Sequence, residues 1–140
     1  MRRPWLALLV LPLPLSACGD DPPPDERAFC TRLERLADND PFTVFGERAT
    51  SSEIESAFQA LVARADELVD GAPDEVRGAA RDYADAARSL DDLMAAAAYQ
   101  GDQVDARAYR EEQVRYTEAA TRLERYLESC RGAVTTSSDG

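Results

Sequence analysis

Two apolar seams constrain this chain more than any other feature. Val76, Ala80, Tyr83, Ala87, Leu90, Met94 and Ala97 recur at alternating spacings of four and three, and Tyr109, Gln113, Tyr116, Ala120, Leu123, Leu127 and Cys130 continue the alternation. Such a period places each set on one stripe of an α-helix. No segment carries the period-2 alternation of β-branched residues that a strand needs. Between the seams stand Gly101, a helix stop, and Asp102, a helix cap, so the two long helices are expected to fold back antiparallel through a short turn.

Two further helices are expected upstream. The first runs from Asp25 to Asp38, with Phe29, Leu33 and Leu36 on one face and Cys30 beside them, and Asn39-Asp40-Pro41 ends it. A linker containing Phe42, Val44, Phe45 and Gly46 follows, and its apolar side chains are expected to cover one end of the fold. The second helix starts at Ser52, which forms a capping box with Glu55, carries the broad stripe Ile54, Ala57, Phe58, Leu61, Val62, Ala65, Leu68 and Val69, and ends at Gly71. Pro73 opens the third helix, with Asp74 and Glu75 facing the positive end of its dipole. Glycines and prolines lie at or near these borders, and Gly78 is the one interior exception. The expectation is an all-α, up-down-up-down four-helix bundle over residues 25–131 with a shorter first helix, followed by a disordered tail at 132–140.

The N-terminus reads as an address. Arg2 and Arg3 precede an apolar run from Trp5 to Leu15, about half the roughly 20 residues a transmembrane helix needs. Leu15-Ser16-Ala17-Cys18 resembles the lipobox of bacterial lipoproteins, in which the cysteine thiol takes a diacylglyceryl group and the chain is cut before it. Residues 1–17 are then a signal peptide and 18–24, with Pro22-Pro23-Pro24, an extended tether reaching about 20 Å. An ordinary secretory signal with Cys18 as a bystander is the alternative. Loss of the signal removes two arginines and no acid, taking the formal charge from −11 to −13. That sign repels nucleic acid and anionic headgroups, so contact with the membrane is expected through the lipid on Cys18 alone. The localisation implied is the outer face of the cell membrane, extracellular or periplasmic, with an envelope protein or ligand as the remaining partner.

With Cys18 assigned to lipid, Cys30 and Cys130 remain as an even pair in an exported chain, where disulfides persist. The start of a first helix and the end of a fourth lie at the same end of an up-down-up-down bundle, so topology and a Cys30–Cys130 bridge agree. Two buried thiols are the alternative. Phe29-Cys30 in a first helix, Ala72-Pro73-Asp74-Glu75-Val76 opening a third and Arg125-Tyr126-Leu127-Glu128-Ser129-Cys130 ending a last one resemble small actinobacterial secreted or lipid-anchored proteins. That resemblance implies a helical, disulfide-linked envelope domain and no particular activity.

The absence of two residue types narrows the chemistry. All 16 basic residues are arginine and there is no histidine, which excludes Lys Schiff bases, Ser-His and Cys-His pairs and His-ligated metals. Asp38, Asp40 and Glu47 make a poor calcium loop, because Phe42 occupies a ligand position and no glycine stands at the sharp turn. Asp91-Asp92 and Glu111-Glu112 are adjacent in sequence and diverge on a helix. Tyr83, Tyr109 and Tyr116 fit core edges better than a ligand cage, and Arg81 with Arg88 fits local ion pairing better than an anion site. No catalytic residue, metal or cofactor is expected, and the chain reads as a non-enzymatic interaction or structural module. The alternatives are a binder of a small molecule or lipid within the bundle and an enzyme using only Arg, Glu and Tyr.

Overall fold

The computed structural model describes residues 24–38 and 49–136, with side chains over 25–37 and 49–132. Cys18, the tether and the apolar linker residues Phe42, Val44 and Phe45 lie outside them. Four helices follow in order: α1 (Pro24–Asp38), α2 (Ser51–Gly71), α3 (Asp74–Ala96) and α4 (Ala106–Thr136). Among the described residues there is no strand, so the all-α bundle with a short first helix stands.

The helix starts follow local chemistry. In α1, Asp25 and Glu26 occupy the first turn and Arg35 the last, each opposing the end of the dipole it faces. In α2 the cap is Thr50 and not Ser52. The Glu53 amide donates to Thr50 Oγ1 at 3.3 Å, and the Thr50 amide donates to Glu53 Oε2 at 2.8 Å. The run Thr50-Ser51-Ser52-Glu53-Ile54-Glu55 holds two overlapping capping-box registers, and the chain uses the earlier. Glu55 instead accepts from Gln59 one turn on. Pro73 takes the cap position of α3, and Arg77 binds both the Ala72 carbonyl and the Asp74 carboxylate.

The helices neighbour one another in a ring. α3 packs along α2 and α4, α1 touches α2 and α4, and neither diagonal pair meets. A helix with two long neighbours needs small residues on two faces, and α3 supplies them in buried Ala79, Ala80, Ala84, Ala86 and Ala87. Every member of its seam, from Val76 to Ala97, is buried. The core is completed by Phe29 and Leu33 from α1, Phe58, Leu61, Ala65 and Leu68 from α2, and Ala119, Leu123 and Leu127 from α4, with no polar side chain buried among the described residues.

Cys30 and Cys130 form the expected disulfide, with Cα atoms 6.2 Å apart. α1 runs antiparallel to α2, its Arg32 lying against Gly71 at the end of that helix. Along α4, however, Glu26 and Phe29 meet Tyr126 while Glu34 reaches Arg131. These contacts, with the disulfide, fasten α1 to the last turns of α4, while Leu36 and Ala37 at the other end of α1 share a recess with Gln113, Tyr116 and Ala120. With 15 residues against 31, α1 is too short to run along the whole of α4.

Candidate functional site

At the opposite end, the start of α2, the end of α3 and the start of α4 come together around a groove of about 390 Å³. Its apolar lining is Ile54 and Phe58 from α2, Met94 from α3, Val104 from the connection and Ala106 and Tyr109 at the start of α4, with Gly101 and Arg110 completing it. The volume lies at the low end of the roughly 300–1,000 Å³ of small-ligand sites.

The groove exists because the α3–α4 connection is longer than a tight turn. α3 ends at Ala96, and residues 97–105 lead to α4. Gly101 does not close α3. Ala98, at φ 49°, does so, with its amide donating to the Ala95 carbonyl at 2.9 Å while the Tyr99 amide donates to Met94 at 2.7 Å. That pair of bonds is a Schellman motif with alanine where glycine is usual. Tyr99 is also left-handed, at φ 56°. Its ring sits 6.5 Å from that of Phe58, and its hydroxyl donates to Asp91 at 2.9 Å. Desolvation, then Asp91, with Glu55 and Asp92 behind, pushes that hydroxyl up to about 12. The cap of α4 is Asp105 and not Asp102, accepting from the amides of Arg107 at 2.9 Å and Ala108 at 3.0 Å. Those amides hold its carboxyl below the ordinary value.

Two polar groups line the groove without a protein partner among the described residues. Tyr109, half-buried, makes no hydrogen bond through its hydroxyl, which desolvation pushes up. Arg110 makes no ion pair, whereas Arg77, Arg88, Arg107, Arg115, Arg122 and Arg131 each pair with a carboxylate. Both are donors.

A second recess, of about 380 Å³, lies between α1, α3 and α4 and is lined by Leu33, Leu36, Tyr83, Gln113, Tyr116 and Glu124 among others. Tyr83 and Tyr116 meet there, with ring centroids 4.7 Å apart and hydroxyls at 2.6 Å. The seam tyrosines thus divide: two stack on one another, and Tyr109 faces the groove.

The other candidate groups are dispersed. Arg88 binds Asp85 at 2.7 Å and also Asp66 on α2, while Arg81 is exposed. Asp91 is taken by Tyr99, Glu111 by Arg107 and Glu112 by Arg115. Among the described residues no three acidic or sulfur ligands come together to hold a metal ion, and no helix is long and apolar enough to cross a membrane. Reading the seams alone misses Val104, Ala106 and Arg110. The signal for them is the gap between the last seam position, Ala97, and the first of the next, Tyr109, which is too long for a tight turn. Comparison with family models, curated proteins and solved structures finds no match.

Proposed function

We propose that the chain is a lipid-anchored protein of the cell envelope, without catalytic chemistry of its own, that acts as an interaction module through the groove at the end remote from the disulfide. The lipobox residues Leu15-Ser16-Ala17-Cys18 support the anchor. The observation that carries the binding role is the groove itself, an apolar recess that no acidic residue lines, in a strongly acidic chain. Since α1 follows the tether and its Cys30 is bound to Cys130, the disulfide end faces the membrane and the groove faces outward. A second reading makes the occupant a small molecule or lipid instead of a protein, and the groove's volume and apolar lining favour it.

Gly101 and Gly78 provide a matched test, because a side chain added at either meets nothing within 4 Å. A photo-crosslinking residue placed at each, in the anchored protein in its native envelope, should yield adducts at 101 and not at 78. A large mass increment would identify a protein partner, and a small one a ligand. Equal labelling at both positions would remove the groove from the function.

A further inference from the structure

The groove's two partnerless groups specify the polar end of what it takes. We propose that it binds a single-chain carboxylate amphiphile, a free fatty acid, with the acyl chain against Phe58, Met94 and Val104 and the carboxylate held by Arg110 and the Tyr109 hydroxyl. The inference rests on reading the groove as a small-ligand site.

Three observations carry it. First, the lining is apolar over most of its extent, and the side chains in it that can donate a hydrogen bond are Tyr109 and Arg110, both near the start of α4. That distribution complements a molecule with one anionic acceptor head and an unbranched apolar tail. Second, the donors lack competitors. Arg110, like Arg32, Arg81 and Arg125, has no carboxylate partner among the described residues, and of these four it alone lines the groove. Third, no acidic residue lines the groove: Asp91, Glu55 and Asp92 act on Tyr99, whereas burial alone acts on Tyr109. A cationic head would be drawn to the Tyr99 side, outside the groove lining; an anionic head is drawn to Arg110.

The test uses the full-length chain carrying Cys18→Ser, exported without acyl groups, and three probes below their micellar concentrations: dodecanoate, dodecanol and dodecyltrimethylammonium. Calorimetric titration at pH 7 should show dodecanoate binding about fivefold more tightly than dodecanol, as a rim charge supplies, and the ammonium probe more weakly than either. Decanoate should bind roughly fifteenfold more weakly than dodecanoate, at about fourfold per methylene. Arg110→Gln should reduce dodecanoate to the level of dodecanol and leave dodecanol unchanged, a pattern that misfolding does not produce. Gly101→Leu should weaken both.

Dodecanol binding as tightly as dodecanoate, with Arg110→Gln silent, overturns the carboxylate assignment while leaving the groove a ligand site. No binding of any probe overturns both. Binding that emerges only after Phe42→Ser and Phe45→Ser makes the chain's own linker the occupant, and a dimer dispersed by Gly101→Leu makes it a second copy; either result overturns the proposal.

Discussion

Tyr126 of α4 and Glu26 of α1 are joined by a hydrogen bond of 2.8 Å, the tyrosine hydroxyl donating to Glu26 Oε1 across 100 residues of sequence. The ring of Tyr126 meets Phe29 at 5.7 Å, with the planes 69° apart. Cys30, one turn after Glu26, is bonded to Cys130, one turn after Tyr126. The short first helix is therefore fixed by three contacts of different chemistry within two turns. Tyr126→Phe retains the ring and removes the donor, so it should cost about 1 kcal/mol. A double-mutant cycle with Glu26→Gln, read by urea denaturation, should give a coupling energy well above zero. Additive single effects would show that the hydroxyl and the carboxylate act independently.

That relationship marks the limit of what the sequence makes legible. The α3 seam is readable because α3 lies between two long neighbours and all seven of its seam positions are buried. The α4 seam is readable only in part: Leu123 and Leu127 are buried, Gln113 is exposed, and Ala119, off the seam, is fully buried. A strict heptad assumes a partner along the whole helix, and α1, with 15 residues against 31, is too short to supply one. The cap positions differ from the sequence expectation for a local reason. Thr50 and Ser52 each precede a glutamate by three residues, and Asp102 and Asp105 both precede α4, so composition cannot choose the register. The groove depends on the unannounced stop at Ala98, which carries no glycine signal.

Ala98 is the place to test that stop. At φ 49° an alanine side chain crowds its own backbone, at a cost of roughly 1–2 kcal/mol, part of which glycine returns through its freer unfolded state. Ala98→Gly should raise stability by about 1 kcal/mol and leave helical content unchanged. Gly101→Ala, at a glycine without positive φ and with open space around it, should not destabilise. A destabilised Ala98→Gly together with a destabilised Gly101→Ala would return the helix stop to Gly101.

Gly78 is a separate case. It lies inside α3 with nothing within 4 Å of an added Cβ. Neither packing nor backbone conformation requires glycine there, and alanine is favoured in a helix interior by about 1 kcal/mol. Gly78→Ala should therefore stabilise by roughly 0.5–1 kcal/mol, seen as a higher urea midpoint at an unchanged m-value. A loss of stability would mean that a partner or second copy approaches this face closely.

The composition also predicts how stability varies with pH. Without histidine or lysine, and with Cys30 and Cys130 in a disulfide, no side chain titrates between the carboxylates and the tyrosines within the bundle. At the acid end, Glu53 and Asp105 are lowered from 4.5 and 3.8 by the amides they accept from, chiefly those of Thr50 and Ala108. A carboxylate lowered in the fold contributes stability above its unfolded value and loses it as pH falls through the folded one. At the alkaline end, Tyr99, Tyr109 and Tyr126 are raised from 10.0, desolvation leading in each. A raised group contributes in full below its unfolded value and loses that contribution as pH rises towards the folded one, about 12 for Tyr99. Urea midpoints should therefore be flat from about pH 6 to pH 9, fall below about pH 4.5 and fall again above about pH 10. Glu53→Gln should reduce the acid slope and leave the alkaline one intact, and Tyr99→Phe should do the reverse. A transition near neutral pH would require an ionisable group that neither the capped helix starts nor the tyrosines supply.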